Sequence, residues 1–259
     1  SQISVFRNNQ DQSEKMARLL RRTSLYSSLV RFLHPLVRDA SGEITGSSMQ
    51  KAEYAHALVF LGARREGLQI LSSINKSALP DAQLLTAFAH FSEWNYSAAI
   101  PLLRTYCREP SLTDYQKLIG HLNLYAALVI QRSQGGNNDA PDRSARERRQ
   151  LAKHLRSETR SRGHLLLYEN MLEISAQDAF YSGDIASAHS LLSQISGKKQ
   201  LLNKKWIAFC NLSTASGGNK KRLQKAVIEL RAVRRQARLE FQPVARLVCV
   251  NPPRSPVSG

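Results

Sequence analysis

A chain of 259 residues, of which 42% are hydrophobic, is long and apolar enough to bury a core, which excludes wholesale disorder. Its 13 glycines and 9 prolines are too few for a collagen-like or low-complexity protein. The formal net charge of +17 comes from 37 lysines and arginines against 20 aspartates and glutamates. This excess predicts a positive field that attracts anions, whether nucleic acid, an acidic protein surface or anionic lipid.

The cysteines and the apolar stretches bear on the compartment. Cys107, Cys210 and Cys249 are far apart and odd in number, so neither a disulfide framework nor a zinc site is expected. Such cysteine usage fits a reducing compartment. No stretch reaches the ~20 apolar residues of a membrane span, and the first residues lack a signal-peptide core. We therefore expect a cytoplasmic protein without an integral membrane segment.

The first predicted element is a helix that begins near Ser13, a residue type typical of an N-cap. Apolar residues recur at helical spacing from Leu25 to Leu33, and residues 39–48 have the composition of a loop. Helical periodicity returns after this loop and is interrupted at Gly62. The sequence therefore predicts a helical N-terminal region followed by a first helix pair.

The clearest pattern lies at residues 82–110. Apolar residues follow one helical face over 84–91 and another over 99–106, and a polar break separates them at 93–96. A helix pair of this kind cannot bury both of its faces alone and needs neighbours. A long helix with a wide apolar face follows over 113–131.

The second half of the chain is more basic. The predicted organisation is an N-terminal helix and loop over 1–48, helical hairpins over 49–131, a basic loop or insertion over 132–163, further hairpins with a basic last helix over 164–240, and an extended or disordered tail over 241–259. The insertion is expected because its start is rich in glycine and asparagine and its remainder is dense in arginine.

Three of these helix pairs share one spacing of small and large residues. An alanine in the first helix is followed twelve positions later by a small residue, and four positions beyond that by a leucine. The sets are Ala55, Gly67 and Leu71; Ala87, Ala99 and Leu103; and Ala176, Ala188 and Leu192. Small residues at these points allow two antiparallel helices to approach closely. The step of 32 residues from Ala55 to Ala87 lies in the range of helical solenoids.

This spacing resembles the tetratricopeptide repeat (TPR) family. The likeness is carried by the turn into the second helix at residues 96–100, by the Gly183-Asp184 turn and by Pro110 at the closing position, and it covers roughly 50–131 and 164–240. It implies an all-α fold, an α-solenoid of TPR-like antiparallel helix hairpins, with a short extended segment at the C-terminus as a further expectation. A generic α-helical bundle is the alternative.

The resemblance also implies a concave surface, lined by the first helices of the hairpins, that takes an extended peptide or a partner helix. The partner-binding residues that it implies are His56, Phe88, Asn170, Gln177 and Tyr181. The alternative for the aromatic residues is an ordinary place in the core. No phosphate-cradle, zinc-protease or nucleophile-elbow motif occurs, so we expect no catalytic residues, no cofactor and no metal.

Basic residues dominate the end of the chain. Between Lys198 and Arg238 there are twelve lysines and arginines and one acidic residue, Glu229. The residues predicted to bind an anion or an acidic partner are Lys204, Lys205, Lys220, Lys221, Arg231, Arg234, Arg235 and Arg238. A second basic patch is predicted at Arg143, Arg146, Arg148 and Arg149.

Together these features predict a non-enzymatic helical-repeat scaffold, adaptor or chaperone that binds a protein or peptide partner, partly through a basic surface. The alternative is a nucleic-acid-associated regulatory protein that uses the basic C-terminal helix for salt-dependent phosphate contacts. Open solenoid ends can also stack on each other, so self-association is compatible with either hypothesis.

Overall fold

The described part of the chain folds into α-helices. The computed structural model describes residues 9–76, 78–133, 140–157 and 161–195, together with 224, 227 and 228. Within this part of the chain all regular secondary structure is helical, which confirms the all-α prediction there. Arg38 and Ile44 form one isolated antiparallel bridge. The chain divides into two compact units, one up to Leu112 and one from Thr113.

The first unit consists of paired helices. Its helices are α1 (Gln10–Arg22), α2 (Tyr26–Val37), α3 (Ser48–Phe60), α4 (Arg64–Ser72), α5 (Asp81–Ser92) and α6 (Tyr96–Cys107). They pair in chain order as three hairpins. The first helices also pack in series, α1 against α3 and α3 against α5, and α2 and α4 each pack against the first helix of the next hairpin. Each hairpin therefore packs against the preceding hairpin.

The second unit contains longer helices. They are α7 (Asp114–Ser133), α8 (Ala140–Ser157), α9 (Arg162–Tyr181) and α10 (Ile185–Ser193). Helices α7, α8 and α9 pack against one another, and α10 pairs with α9. The range expected to be a basic loop or insertion thus contains α8, which buries Leu151 and Leu155. Likewise, residues 1–48 were expected to form one helix and a loop, but they contain both α1 and α2.

Four hairpins close with the same three-residue turn. The middle residue of each turn has a left-handed backbone with φ between 58° and 96°, namely Ser24, Gly62, Trp94 and Gly183. The amide of the next residue donates to a carbonyl five positions back, and the amide of the middle residue donates to a carbonyl three positions back. This is the Schellman arrangement, in which glycine costs least and a bulky residue is strained.

The shared turn sets a common register for the buried residues. The position seven residues before the left-handed residue is alanine in all four hairpins: Ala17, Ala55, Ala87 and Ala176. The position nine residues after it is leucine in all four: Leu33, Leu71, Leu103 and Leu192. All eight side chains are at most 2% exposed. The α1–α2 hairpin thus shares the turn and the buried register of the other three, which sequence spacing missed because Leu29 stands where the others have a small residue.

The predicted N-cap at Ser13 is wrong. Helix α1 begins three residues earlier, and the side chain of Asn9 caps it by accepting from the amide of Gln12. Ser13 lies buried inside the helix, where its hydroxyl accepts a 2.8 Å hydrogen bond from Nε2 of Gln50 in α3. The residue type suited a cap, but a tertiary contact determined its place.

We expect Gly67→Ala to destabilise the protein by about 1–3 kcal/mol, because the added methyl group overpacks a closed contact. A Cβ atom at position 67 would lie 2.7 Å from Cγ2 of Val59 and 2.8 Å from the carbonyl oxygen of Ala55. In an exposed helix the same change would stabilise by about 1 kcal/mol. Urea denaturation measures the difference, with exposed Gln69→Ala as the control. A stabilised Gly67→Ala would contradict the close approach of α3 and α4.

Candidate partner-binding site

Aromatic rings of the first unit form one continuous cluster across its three hairpins. The aromatic cluster comprises Tyr26, His56, Phe60, Phe88, Phe91, Trp94 and Tyr96. Neighbouring ring centroids lie 4.5–6.5 Å apart, the range in which aromatic pairs attract one another. The cluster therefore links hairpins that are distant in sequence.

The register of the hairpins produces this cluster. His56 and Phe88 each follow the buried alanine of their helix by one residue, and their rings lie 6.5 Å apart across α3 and α5. Tyr26 begins α2 and Phe60 ends α3, and their rings stack at 4.5 Å with an interplanar angle of 16°. This stacking brings the turn ends of the first two hairpins side by side.

The cluster is partly core and partly surface. His56, Phe91 and Tyr96 are buried, whereas Tyr26 and Phe60 are half-buried. Burial, with a smaller effect from the charge of Arg21, lowers the pKa of His56 to about 3. At neutral pH His56 is therefore an uncharged ring that packs between its neighbours and offers no positive charge to a ligand.

Large apolar side chains are exposed at the turns of the same three hairpins. Leu25, Leu61 and Trp94 are 51%, 48% and 57% exposed, and we call these three residues the turn-end rim. Leu25 and Leu61 each adjoin a ring of the Tyr26–Phe60 stack along the chain. Single exposed leucines are common in soluble proteins. Here the same end of each of three consecutive hairpins exposes one large apolar side chain, and exposed apolar surface of this kind can mark an interaction site.

Trp94 is the most unusual residue of this edge. It occupies the left-handed position of its turn, where two of the equivalent turns have glycine, Gly62 and Gly183. A left-handed backbone costs a residue with a side chain roughly 1–2 kcal/mol. Strain of this kind concentrates at functional sites. The fold thus holds a large, exposed indole at a position where glycine would cost less.

The concave-face residues implied by the family resemblance fall in both units. His56 and Phe88 belong to the aromatic cluster, and Phe88 is half-buried. Asn170 and Gln177 lie buried on α9 of the second unit. Tyr181 ends α9, about half-exposed, with its ring edge-on to Phe180 at 6.2 Å. The concave surface stays a prediction, and its accessible members are Phe88 and Tyr181.

The predicted anion-binding residues lie outside the described part of the chain. These are Lys204, Lys205, Lys220, Lys221, Arg231, Arg234, Arg235 and Arg238. The extended segment expected at the C-terminus lies outside it as well. The second basic patch is described, and its four arginines are exposed on α8.

A partly buried polar seam between α1 and the start of α3 was missed from the sequence. Nε of Arg21 lies 2.7 Å from Oε2 of Glu53, and Glu14 accepts a 2.8 Å hydrogen bond from the hydroxyl of Ser47. Burial raises the pKa of the Glu53 carboxyl, and Arg21 opposes that rise. The seam holds two hairpins in register. Among the described residues there is no group of three or more His, Cys, Asp and Glu that could hold a metal.

No family model, curated protein or solved structure matches this chain. Within the ranges that the structure describes, none of the helices is long and apolar enough to cross a membrane. The described residues form an all-helical fold in which four hairpins share one turn.

Proposed function

We propose that this protein is a non-enzymatic helical-repeat scaffold or adaptor that binds a protein partner through the turn-end rim and the half-buried rings beside it. The observation that carries the proposal is Trp94, which is 57% exposed in a strained left-handed turn. Tryptophan and tyrosine are enriched among the residues that dominate binding energy at protein interfaces. A partner that covers the indole would bury apolar area that the isolated chain leaves in water.

The repeat assignment is part of this proposal. It is supported by the common turn of four hairpins, by their shared alanine and leucine register, and by the packing of each hairpin of the first unit on the one before it. Units that stack in this way build extended binding surfaces. On this hypothesis the aromatic cluster is the shared core of adjacent repeats, and its exposed edge is the recognition surface.

The test uses substitution of the left-handed residue itself. We expect Trp94→Gly to weaken partner binding by about 2 kcal/mol or more, roughly 30-fold in Kd, because it removes an interface anchor. Thermal stability should stay the same or rise, because glycine relieves the left-handed strain. The matched control is Ser24→Gly, which makes the same backbone change in the first turn without removing a ring.

The measurement begins with affinity purification and mass spectrometry, with and without nuclease, to identify the partner. Calorimetric titration of the purified partner then gives Kd for the wild type and both variants. Loss of binding in Trp94→Gly together with an unchanged Ser24→Gly is the expected result. Full affinity in the double variant Trp94→Gly/Leu61→Ser would refute the turn-end rim as the binding site.

The cytoplasmic location stays a prediction, and imaging of the tagged chain tests it.

A further inference from the structure

Helix α8 of the second unit carries a basic stripe along its exposed face. Arg146, Arg149 and Lys153 follow one another at spacings of three and four residues, and all three are exposed. On the opposite side, Leu151 and Leu155 are buried. Residues three and four apart on a helix lie on one face. We call Arg146, Arg149 and Lys153 the α8 stripe.

Two carboxylates near α8 are engaged elsewhere. Glu147 lies 2.8 Å from Nδ1 of His121 on α7. Asp178 on α9 pairs with Arg132 of α7 and also interacts electrostatically with Arg148. Arg148 therefore lies on the side of α8 that faces α9. The α8 stripe lies away from Glu147 and Asp178.

No acidic side chain that the structure describes pairs with Arg146, Arg149 or Lys153. Nε of Arg149 donates to the carbonyl oxygen of Ala145 at 3.3 Å, one turn back on the same helix. Like charges at this spacing destabilise a helix by a few tenths of a kcal/mol per pair. A row of exposed cations on one helix face is suited to an external polyanion.

We propose that the α8 stripe binds the phosphate backbone of a double-stranded nucleic acid, a function beyond the protein binding proposed above. Seven residues separate Arg146 from Lys153, which is about 10 Å along a helix axis. One strand of a duplex presents a phosphate about every 3.4 Å along its axis, so this length matches roughly three phosphates. Two of the three cations are arginines, whose planar fork suits phosphate oxygens.

The composition of α8 favours a duplex over the other polyanions. Sites for single strands stack bases on aromatic side chains, and residues 143–155 contain no Phe, Tyr or Trp. Helices that bind a lipid surface insert apolar side chains into it, whereas Leu151 and Leu155 of α8 are buried within the protein. Contacts made only with the backbone are independent of sequence and strongly dependent on salt.

The experiment measures the salt dependence of binding with the full-length chain. Fluorescence anisotropy with a 20-base-pair duplex, as DNA and as RNA, gives the slope of log K against log salt. For Arg146→Gln/Arg149→Gln/Lys153→Gln we expect the slope to become less negative by about 2.7, or 0.9 for each phosphate that the variant no longer neutralises. The matched control is Arg64→Gln/Arg65→Gln/Arg108→Gln, which removes the same charge from exposed sites of the first unit and should keep most of the wild-type slope.

Single substitutions at Arg146, Arg149 and Lys153 show whether a change in the triple variant reflects lost phosphate contacts or misfolding. Each should make the slope less negative by about 0.9 with an unchanged circular dichroism spectrum. Three outcomes would overturn the proposal. The α8 variant could retain the slope of its matched control, a single strand could bind more tightly than the duplex, or a polyglutamate peptide could bind where the duplex does not.

Discussion

Replacement of Arg21 by methionine is expected to destabilise the protein by about 3–5 kcal/mol at neutral pH. Nε of Arg21 lies 2.7 Å from Oε2 of Glu53, whose side chain is only 4% exposed. Removing the guanidinium leaves a carboxylate in the interior without its counter-charge, and a buried charge of this kind is costly. The unfolding free energy from urea denaturation measures the loss.

The stability lost in Arg21→Met should be larger at neutral pH than in acid. Burial raises the pKa of Glu53 in the folded state, while Arg21 and Arg18 oppose the rise and Asp81 adds to it. A raised folded pKa means that the folded state holds the proton more tightly, so stability falls as pH rises from the unfolded pKa through the folded pKa. Without Arg21 the folded pKa of Glu53 rises further.

Arg21→Met should therefore be destabilised more at neutral pH than in acid below the unfolded pKa, where the Glu53 carboxyl is protonated in both states. The double variant Arg21→Met/Glu53→Met should recover most of the stability, because a well-packed apolar pair can replace a buried ion pair. Exposed Arg22→Met is the matched control. If Arg21→Met lost the same unfolding free energy at both pH values, the ionised Glu53 carboxylate would not be stabilised by Arg21.

Truncation of Leu71 to alanine is expected to cost about 2–5 kcal/mol. Leu71 is fully buried at the position that all four hairpins fill with leucine. Removing its methyl groups leaves a cavity between α3 and α4, because packed helices relax only partly around a void. The matched control is Leu61→Ala on the exposed rim, where a change of about 0.5 kcal/mol or less is expected.

Leu33→Ala extends this prediction to the hairpin that the sequence pattern missed. If α1 and α2 form a copy of the same unit, this substitution should cost about as much as Leu71→Ala, that is about 2–5 kcal/mol. Chemical denaturation of both variants under one condition compares them directly. A cost below about 1 kcal/mol for Leu33→Ala, well under the range for a buried leucine, would argue that the shared register does not reflect shared packing.

Local features of this protein could be predicted from its sequence. The helical periodicity of residues 84–91 and 99–106 and the polar break between them correspond to α5, α6 and their turn. The spacing of Ala55, Gly67 and Leu71 also predicted buried positions, because a helix pair closed by a three-residue turn brings fixed offsets together. These inferences succeeded because each depends on hydrogen bonds and side chains within one hairpin.

The sequence by itself thus determined most of the helices, three of the four similar hairpins and the excess of positive charge, but not α8, which lies in the range expected to be a loop or insertion. The tertiary structure decided what depends on distant residues: Ser13 bonds to Gln50 instead of capping α1, Glu53 pairs with Arg21, and the hydrophobic residues at the turns form an exposed edge. Helix periodicity reports neighbours along the chain. Burial and exposure depend on which hairpin packs against which, and only the fold supplies that information.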